Sequence, residues 1–439
     1  MMTRRLLAIG LWLWASPCGA SDQVMMGTIL NTVDTGSAEY ANFNGLSNAT
    51  NNRNDKICTM PTGGTLSALR ILVDTDPDNG VGVDSYQFDV MDGTATTGIV
   101  CTVADGATSC QDSTNTYAVV ATDAISLRST PSGTPATTVV SFSLNFDGTT
   151  AAESLLCGGS GVDSLSATVT RYVSVAGNRS AQATEQRQET VIPTSGTVKS
   201  LYVEIDGAPD TGVGTQEYVV TVRQNTAGTA LTCTISEAAT TCSDVSNSFT
   251  VVAGDVITVE YVPSASAPTA RGVNYNSVVF LADTDGEFIL TAVDQSLNNA
   301  AARYAAVVGT GGINATETVV DDPGQAFTVQ NMYVQLSGTP GAGNSYQFDF
   351  RLGAADASAT FTCTISDSAT ACNDTESIAI ANDNLLDTEI TPASSPTGRT
   401  ASISYRGFIS QAGAARRVML ITQEDSCGRL WPFFCSSRN

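Results

Sequence analysis

The chain has 439 residues, with 43 acidic against 20 basic side chains, a formal net charge of −23 and no histidine at all. Without histidine there can be no Ser-His-Asp triad, no Cys-His pair and no histidine-ligated zinc or iron site, and the acidic balance leaves no basic footprint for a nucleic-acid backbone. Charged residues are only 14% of the chain and hydrophobic ones 42%, a mixture of solvated strands and turns rather than a disordered acidic tail.

Residues 1–20 read as a secretory signal peptide. Arg4 and Arg5 precede the apolar block Leu6 to Trp14, and Gly19 and Ala20 bring small residues to the cleavage point. The block is shorter than the ~20 apolar residues a membrane helix takes, and Pro17 stands where lipid attachment at Cys18 requires a small residue. The mature protein is expected from Ser21: secreted, extracellular or at the cell surface, with no transmembrane span.

Three segments then repeat, CTVADGATSCQD from Cys101, CTISEAATTCSD from Cys233 and CTISDSATACND from Cys363, with first cysteines 132 and 130 residues apart. Tyr40, Tyr172 and Tyr304 keep a similar step, as do Pro61, Pro193 and Pro323, so the repeat covers a whole unit. The units are placed at 21–150, 151–285 and 286–410, with a tail at 411–439. Within each, period-two runs such as Leu69 to Val73, Tyr86 to Val90, Tyr202 to Ile205 and Tyr346 to Phe350 read as strands, separated by turns rich in Gly, Pro, Asn and Asp. About eight short strands per unit and no helix predict an all-β protein: three tandem antiparallel β-sandwiches, jelly-roll-like, with an immunoglobulin-type sandwich as the competitor.

Ten cysteines follow the signal peptide, and pairing is the default in an oxidising compartment. Placing Asp105-Gly106 at the centre of a two-residue hairpin sets Cys101 opposite Cys110. The same arithmetic pairs Cys233 with Cys242 and Cys363 with Cys372, around wider loops because Glu237-Ala238 and Asp367-Ser368 are poorer turn residues. Cys58 and Cys157 have no counterpart in the other units and are expected to bridge the first unit to the second. Cys427 and Cys435 enclose a loop carrying Trp431, Phe433 and Phe434. That loop either folds back on the third unit or anchors a partner.

Repeated acids invite a catalytic or metal role: Asp112, Asp244 and Asp374 after the second cysteine, and Asp123, Asp255 and Asp383 in the later turn. Their presence in every copy favours backbone amide capping instead. The calcium candidate is the loop Asp74-Thr75-Asp76-Pro77-Asp78-Asn79-Gly80, where Asp74, Asp76 and Asp78 alternate. No other cofactor is indicated.

The second unit, with GTVKSLYVEI, SLYVEIDGAPDTGVGTQEYVVTV, the CTIS hairpin and VVAGDVITVEYVPSASAP, resembles repeats of uncharacterised secreted bacterial and phage-associated proteins. The third unit, with LSGTPGAGNSYQFDF, is similar, and the first departs by its acidic insertion. The resemblance implies a jelly-roll-like sandwich and carries over no activity and no site residue. The function expected is non-enzymatic: an extracellular structural or adhesive protein whose sandwiches act as a spacer or an array of weak binding modules. Its partners would be cell-surface or polymer components or further copies of itself. Carbohydrate binding is the first alternative, and a glycoside hydrolase using paired carboxylates the second.

Overall fold

The computed structural model describes residues 22–409, apart from 30, 44–47, 162, 179, 211, 213–214, 285, 295, 310–312, 318–321, 324, 354–360 and 383. The first unit comprises β1 (Asp22–Ile29), β2 (Glu39–Ala41), β3 (Cys58–Thr59), β4 (Gly64–Val73), β5 (Ser85–Asp92), β6 (Ala95–Ala104), β7 (Ser109–Val119), β8 (Ala124–Ser132) and β9 (Val140–Gly148). One sheet has the order β1-β9-β4-β7. The other is β2-β8-β5-β6, with β3 also on β8, and every pairing in the unit is antiparallel. Tyr86 and Phe88 from one sheet and Phe142 and Phe146 from the other are fully buried between them.

The apolar alternation breaks once in β4, and the break is built. Leu66 and Leu69 both face the core although they are three residues apart, because Ala68 sits at φ 55° in a bulge that shifts the register against β7 and β9. Ser200 and Asn331 repeat the bulge at φ 56° and 48°. On β7 the residues opposite are gathered around Asp112. Its carboxylate accepts hydrogen bonds from the amides of Val100, Thr114 and Asn115 and from the Asn115 side chain.

In the second unit the larger sheet is β12 (Gly177–Asn178), β10 (Glu153–Gly159), β19 (Val273–Ala282), β14 (Gly196–Ile205) and β17 (Thr241–Val251) in that order. Facing it are β11 (Arg171–Val173), β18 (Val256–Pro263), β15 (Glu217–Gln224) and β16 (Ala227–Ser236), with β13 (Thr190–Val191) on β18. The third unit repeats the scheme. It pairs β20 (Glu287–Asp294), β28 (Ala401–Phe408), β23 (Phe327–Leu336) and β26 (Ala371–Ile380) in one sheet. Its other sheet is β21 (Arg303–Ala306), β27 (Leu385–Ala393), β24 (Gly341–Leu352) and β25 (Thr362–Asp367), with β22 (Asp322–Pro323) on β27. Antiparallel sandwiches in three copies are what the period-two runs predict.

The three repeated cysteine pairs are the expected ones, but they do not sit across hairpin ladders. The Asp105-Gly106 turn closes as expected, with the Ala107 amide bonded to the Ala104 carbonyl, after which β6 and β7 diverge into opposite sheets. Cys101–Cys110, Cys233–Cys242 and Cys363–Cys372, with Cα atoms 5.7–5.8 Å apart, therefore staple one sheet to the other. The turns at Glu237-Ala238 and Asp367-Ser368 are no wider: each closes on a single three-residue hydrogen bond, with Glu237 and Asp367 at positive φ.

The units pack on one another as a closed ring rather than as separate beads. β3 of unit one meets β10 and β19 of unit two, β13 of unit two meets β20, β23 and β28 of unit three, and β22 of unit three meets β1, β4 and β9 of unit one. At the centre β1, β10 and β20 touch each other. Gln23 exchanges two hydrogen bonds with the main chain of Leu155, at 2.6 and 3.1 Å, and the Ser154 hydroxyl accepts from the Ile289 amide. In the equivalent place Phe288 and Val24 share one apolar cluster. Each strand also lends a residue to a neighbour's core: Leu155 to unit one, Ile289 to unit two and Val24 to unit three. Burying a side chain of this size contributes about 1.5–3 kcal/mol, so the junctions are cores in their own right.

An approximate threefold relation puts corresponding strand ends at one pole. Asp22, the connections 148–153 and 282–287, and the end of β28, paired with Glu287, lie together. The opposite pole carries the stapled turns and the connections between β4 and β5, β14 and β15, and β23 and β24.

Candidate functional site

The three calcium candidates do not converge. Asp74 accepts from the Thr138 hydroxyl at 2.7 Å and the Val139 amide at 2.8 Å. Asp76 accepts from the amides of Asp78 and Gly106, and Asp78 from that of Gly80. Among the described residues no group of three or more acidic or cysteine side chains is placed to hold a metal ion. The short side chains are spent on local amides, which an alternating pattern in a turn can do as readily as it can bind a cation.

The repeated acids are capping groups as expected. Asp244 holds the amides of Thr232, Ser246 and Asn247, and Asp374 those of Thr362 and Glu376. Burial alone would raise Asp112 and Asp244, but these hydrogen bonds outweigh it, holding Asp112 well below the usual carboxylate range and Asp244 at about 2. Asp123 and Asp255 accept from the amides of Val120 and Val252. In unit three Asn384 does this for Ala381, while Asp383 lies outside the described residues.

Cys58 and Cys157 are brought together across the first junction, fully buried with Ile57 and Tyr275, but as two free thiols in hydrogen-bond contact rather than as the expected disulfide. The Ser277 hydroxyl donates to Cys157 Sγ at 3.4 Å. Burial first, and then the adjoining Cys157, push the Cys58 thiol well up, so Cys58 is no nucleophile at neutral pH. Cys427, Cys435, Trp431, Phe433 and Phe434 lie outside the described residues.

One feature escapes a motif search. At the second junction a cleft of about 380 Å³ is lined by Thr184 and Arg187 from unit two and by Ser296, Ser337, Arg399 and Thr400 from unit three. Arg187 ends a one-turn 3-10 helix, Glu185–Arg187, that precedes β13, and its side chain is exposed. Arg399 is fixed by its Nε bond to the Thr339 carbonyl at 2.8 Å and by packing over Gly338, where a Cβ would come within 3.1 Å of the guanidinium. Its two terminal nitrogens form no hydrogen bond or ion pair among the described residues. The described residues that line the cleft include no carboxylate.

Among the described residues no helix is long and apolar enough to cross a membrane. No known protein-family model matches the chain, and no curated protein matches it.

Proposed function

We infer that each unit is a jelly roll and that the protein is a non-enzymatic structural or adhesive component of the cell exterior, its three units acting as one head. The strand order supports the first part: numbering the eight principal strands of a unit in sequence gives sheets 1-8-3-6 and 2-7-4-5 in the first and third copies, a double Greek key. The observation that carries the second is the closed ring. Each central strand buries a residue in a neighbour's core, so the three units form one body and leave a whole pole, with its sheet-to-sheet staples, turned away from the pole where the described chain enters and leaves. Three equivalent faces on one rigid body multiply weak contacts with a polymer or a surface.

The test is retention. Mature protein added to producing cells, to their envelope fraction and to their extracellular polymer is expected to pellet with at least one of them. A freely diffusing monomer with no affinity for any of these or for itself would overturn the reading.

A further inference from the structure

We propose that Asn79 is a self-modifying residue: in the folded protein it converts without an enzyme to aspartate and isoaspartate, assisted by Asp78 and Val81, and so gives the first unit a slow, one-way change in the loop between β4 and β5.

That loop is where the first unit departs from the other two, and its sequence Asp78-Asn79-Gly80 joins an amide side chain to a glycine nitrogen. All three residues are exposed. Gly80 holds φ 82°, and a Cβ built on it would find no atom within 4 Å, so no side chain of its own and no neighbour on that side shields its nitrogen. Three hydrogen bonds arrange the reacting groups. The Gly80 amide donates to Asp78 Oδ1 at 2.6 Å, which places a carboxylate on the proton that must leave as this nitrogen attacks. The Val81 amide donates to Asn79 Oδ1 at 2.8 Å, and this is the oxygen that gathers negative charge in the tetrahedral intermediate. Asn79 Nδ2 donates to the Thr134 carbonyl, which orients the amide that departs.

Gly80 N bonds to Asn79 Cγ and the Cγ–Nδ2 bond breaks. The Gly80 proton, taken up by Asp78, ends on Nδ2, which leaves as ammonia. Water then opens the five-membered imide at one carbonyl or the other, giving aspartate or, with the main chain rerouted through the side chain, isoaspartate. Either product puts a carboxylate in place of the donor to Thr134, next to Asp78, whose charge is the first cause raising the Asp105 carboxyl. The tie from this loop to the connection between β8 and β9 is lost, and the loop that carries the exposed Val81 and Val83 is released. The second unit keeps the turn without the reactive amide. Gly212, at φ 90°, donates to Asp210 Oδ1 as Gly80 does to Asp78, and the residue between them in sequence is Thr211.

The mature protein, folded and separately unfolded in denaturant, is held in mildly alkaline buffer and sampled over time by tryptic mapping. The peptide 71–128 carries Asn79 together with an internal standard, Asn115, which lies in β7 before the β-branched Thr116 and bonds to Asp112. Asn44-Gly45, outside the described residues, falls in another peptide. The folded protein is expected to convert Asn79, with isoaspartate among the products, at least as fast as the unfolded chain, and to leave Asn115 intact. Asp78→Ala should slow the folded reaction about tenfold or more while the unfolded rate stays within about twofold. Asn79→Thr, which installs the second unit's residue, should fold as the parent does and show no conversion in this peptide. Asn79 intact in the folded protein while the unfolded chain converts would overturn the proposal, because the loop would then protect its amide. Folded Asp78→Ala converting at the parent's rate would overturn the assistance by its neighbours.

Discussion

The first and second junctions of the ring place the same structural elements against each other and hold them by different chemistry. At the first, Ile57, Cys58, Cys157 and Tyr275 form an apolar, thiol-centred cluster. At the second, Glu189, Thr190, Thr291 and Ser402 stand in those positions. The Val191 amide donates to Ser402 at 2.8 Å, and the Ser404 hydroxyl lies 2.6 Å from the Val191 carbonyl and 2.7 Å from Thr291 Oγ1. Both junctions keep one polar tie: Thr62 to Glu153 at 2.8 Å, and Thr194 to Glu287 at 2.9 Å. A junction therefore needs shape and satisfied hydrogen bonds rather than a particular residue set, which leaves each copy room to diverge.

Breaking the ring has the largest expected effect. Leu155→Ala removes a side chain that unit two lends to the core of unit one, and should cost about 2–5 kcal/mol in denaturant unfolding. Ile289→Ala should do the same at the second junction. The intact described chain should have a radius of gyration near ~21 Å in solution scattering, the value for a single compact body of this length, and an opened ring a larger one. A comparable loss in both variants would show that the two chemistries are equivalent in strength.

Removing a staple inside a unit separates sheet packing from ring packing. Replacing Cys233 and Cys242 with serine should cost about 2–3 kcal/mol in the chain-entropy account, while the radius of gyration stays unchanged. Exchanging the junction chemistry should cost less. Cys58→Thr with Cys157→Thr gives the first junction the hydroxyls of the second and should shift stability by about 1 kcal/mol. In the unmodified protein, peptide mapping after alkylation should find Cys58 and Cys157 protected when folded and labelled once unfolded. A bond between them that survives denaturation without reductant would contradict the free thiols.

The smallest effects are in pH. Glu189, opposite Ile57 in the comparison, is raised from 4.5 to about 7 by burial and then by the nearby Glu185 charge. Its folded form binds a proton more tightly than the unfolded form, so stability falls as pH rises from about 4.5 to about 7, and Glu189→Gln should flatten that slope. Asp244 has the opposite sign. Its folded value of about 2 against an ordinary 3.8 adds stability that is complete above about pH 4 and is lost as pH falls through about 2. Asp244→Asn should remove that acid limb, read by thermal unfolding between pH 2 and 5.

Much of this could be read from the residues alone. The 130-residue step, the period-two runs and the Cys–Cys spacing of nine specified three antiparallel sandwiches and three local disulfides, because a strand's alternation and a turn's closure are local properties. The same local logic explains Asp112 and its copies as caps. It could not say that β6 and β7 leave their shared turn for different sheets, because both partners of a diverging pair alternate just as hairpin strands do. Nor could it say that the thiols of Cys58 and Cys157 meet unbonded. The ring and the arginine cleft belong wholly to the tertiary structure. Leu155 looks like any inward strand residue until the neighbour whose core it enters is known, and Arg187 and Arg399 are more than 200 residues apart in sequence.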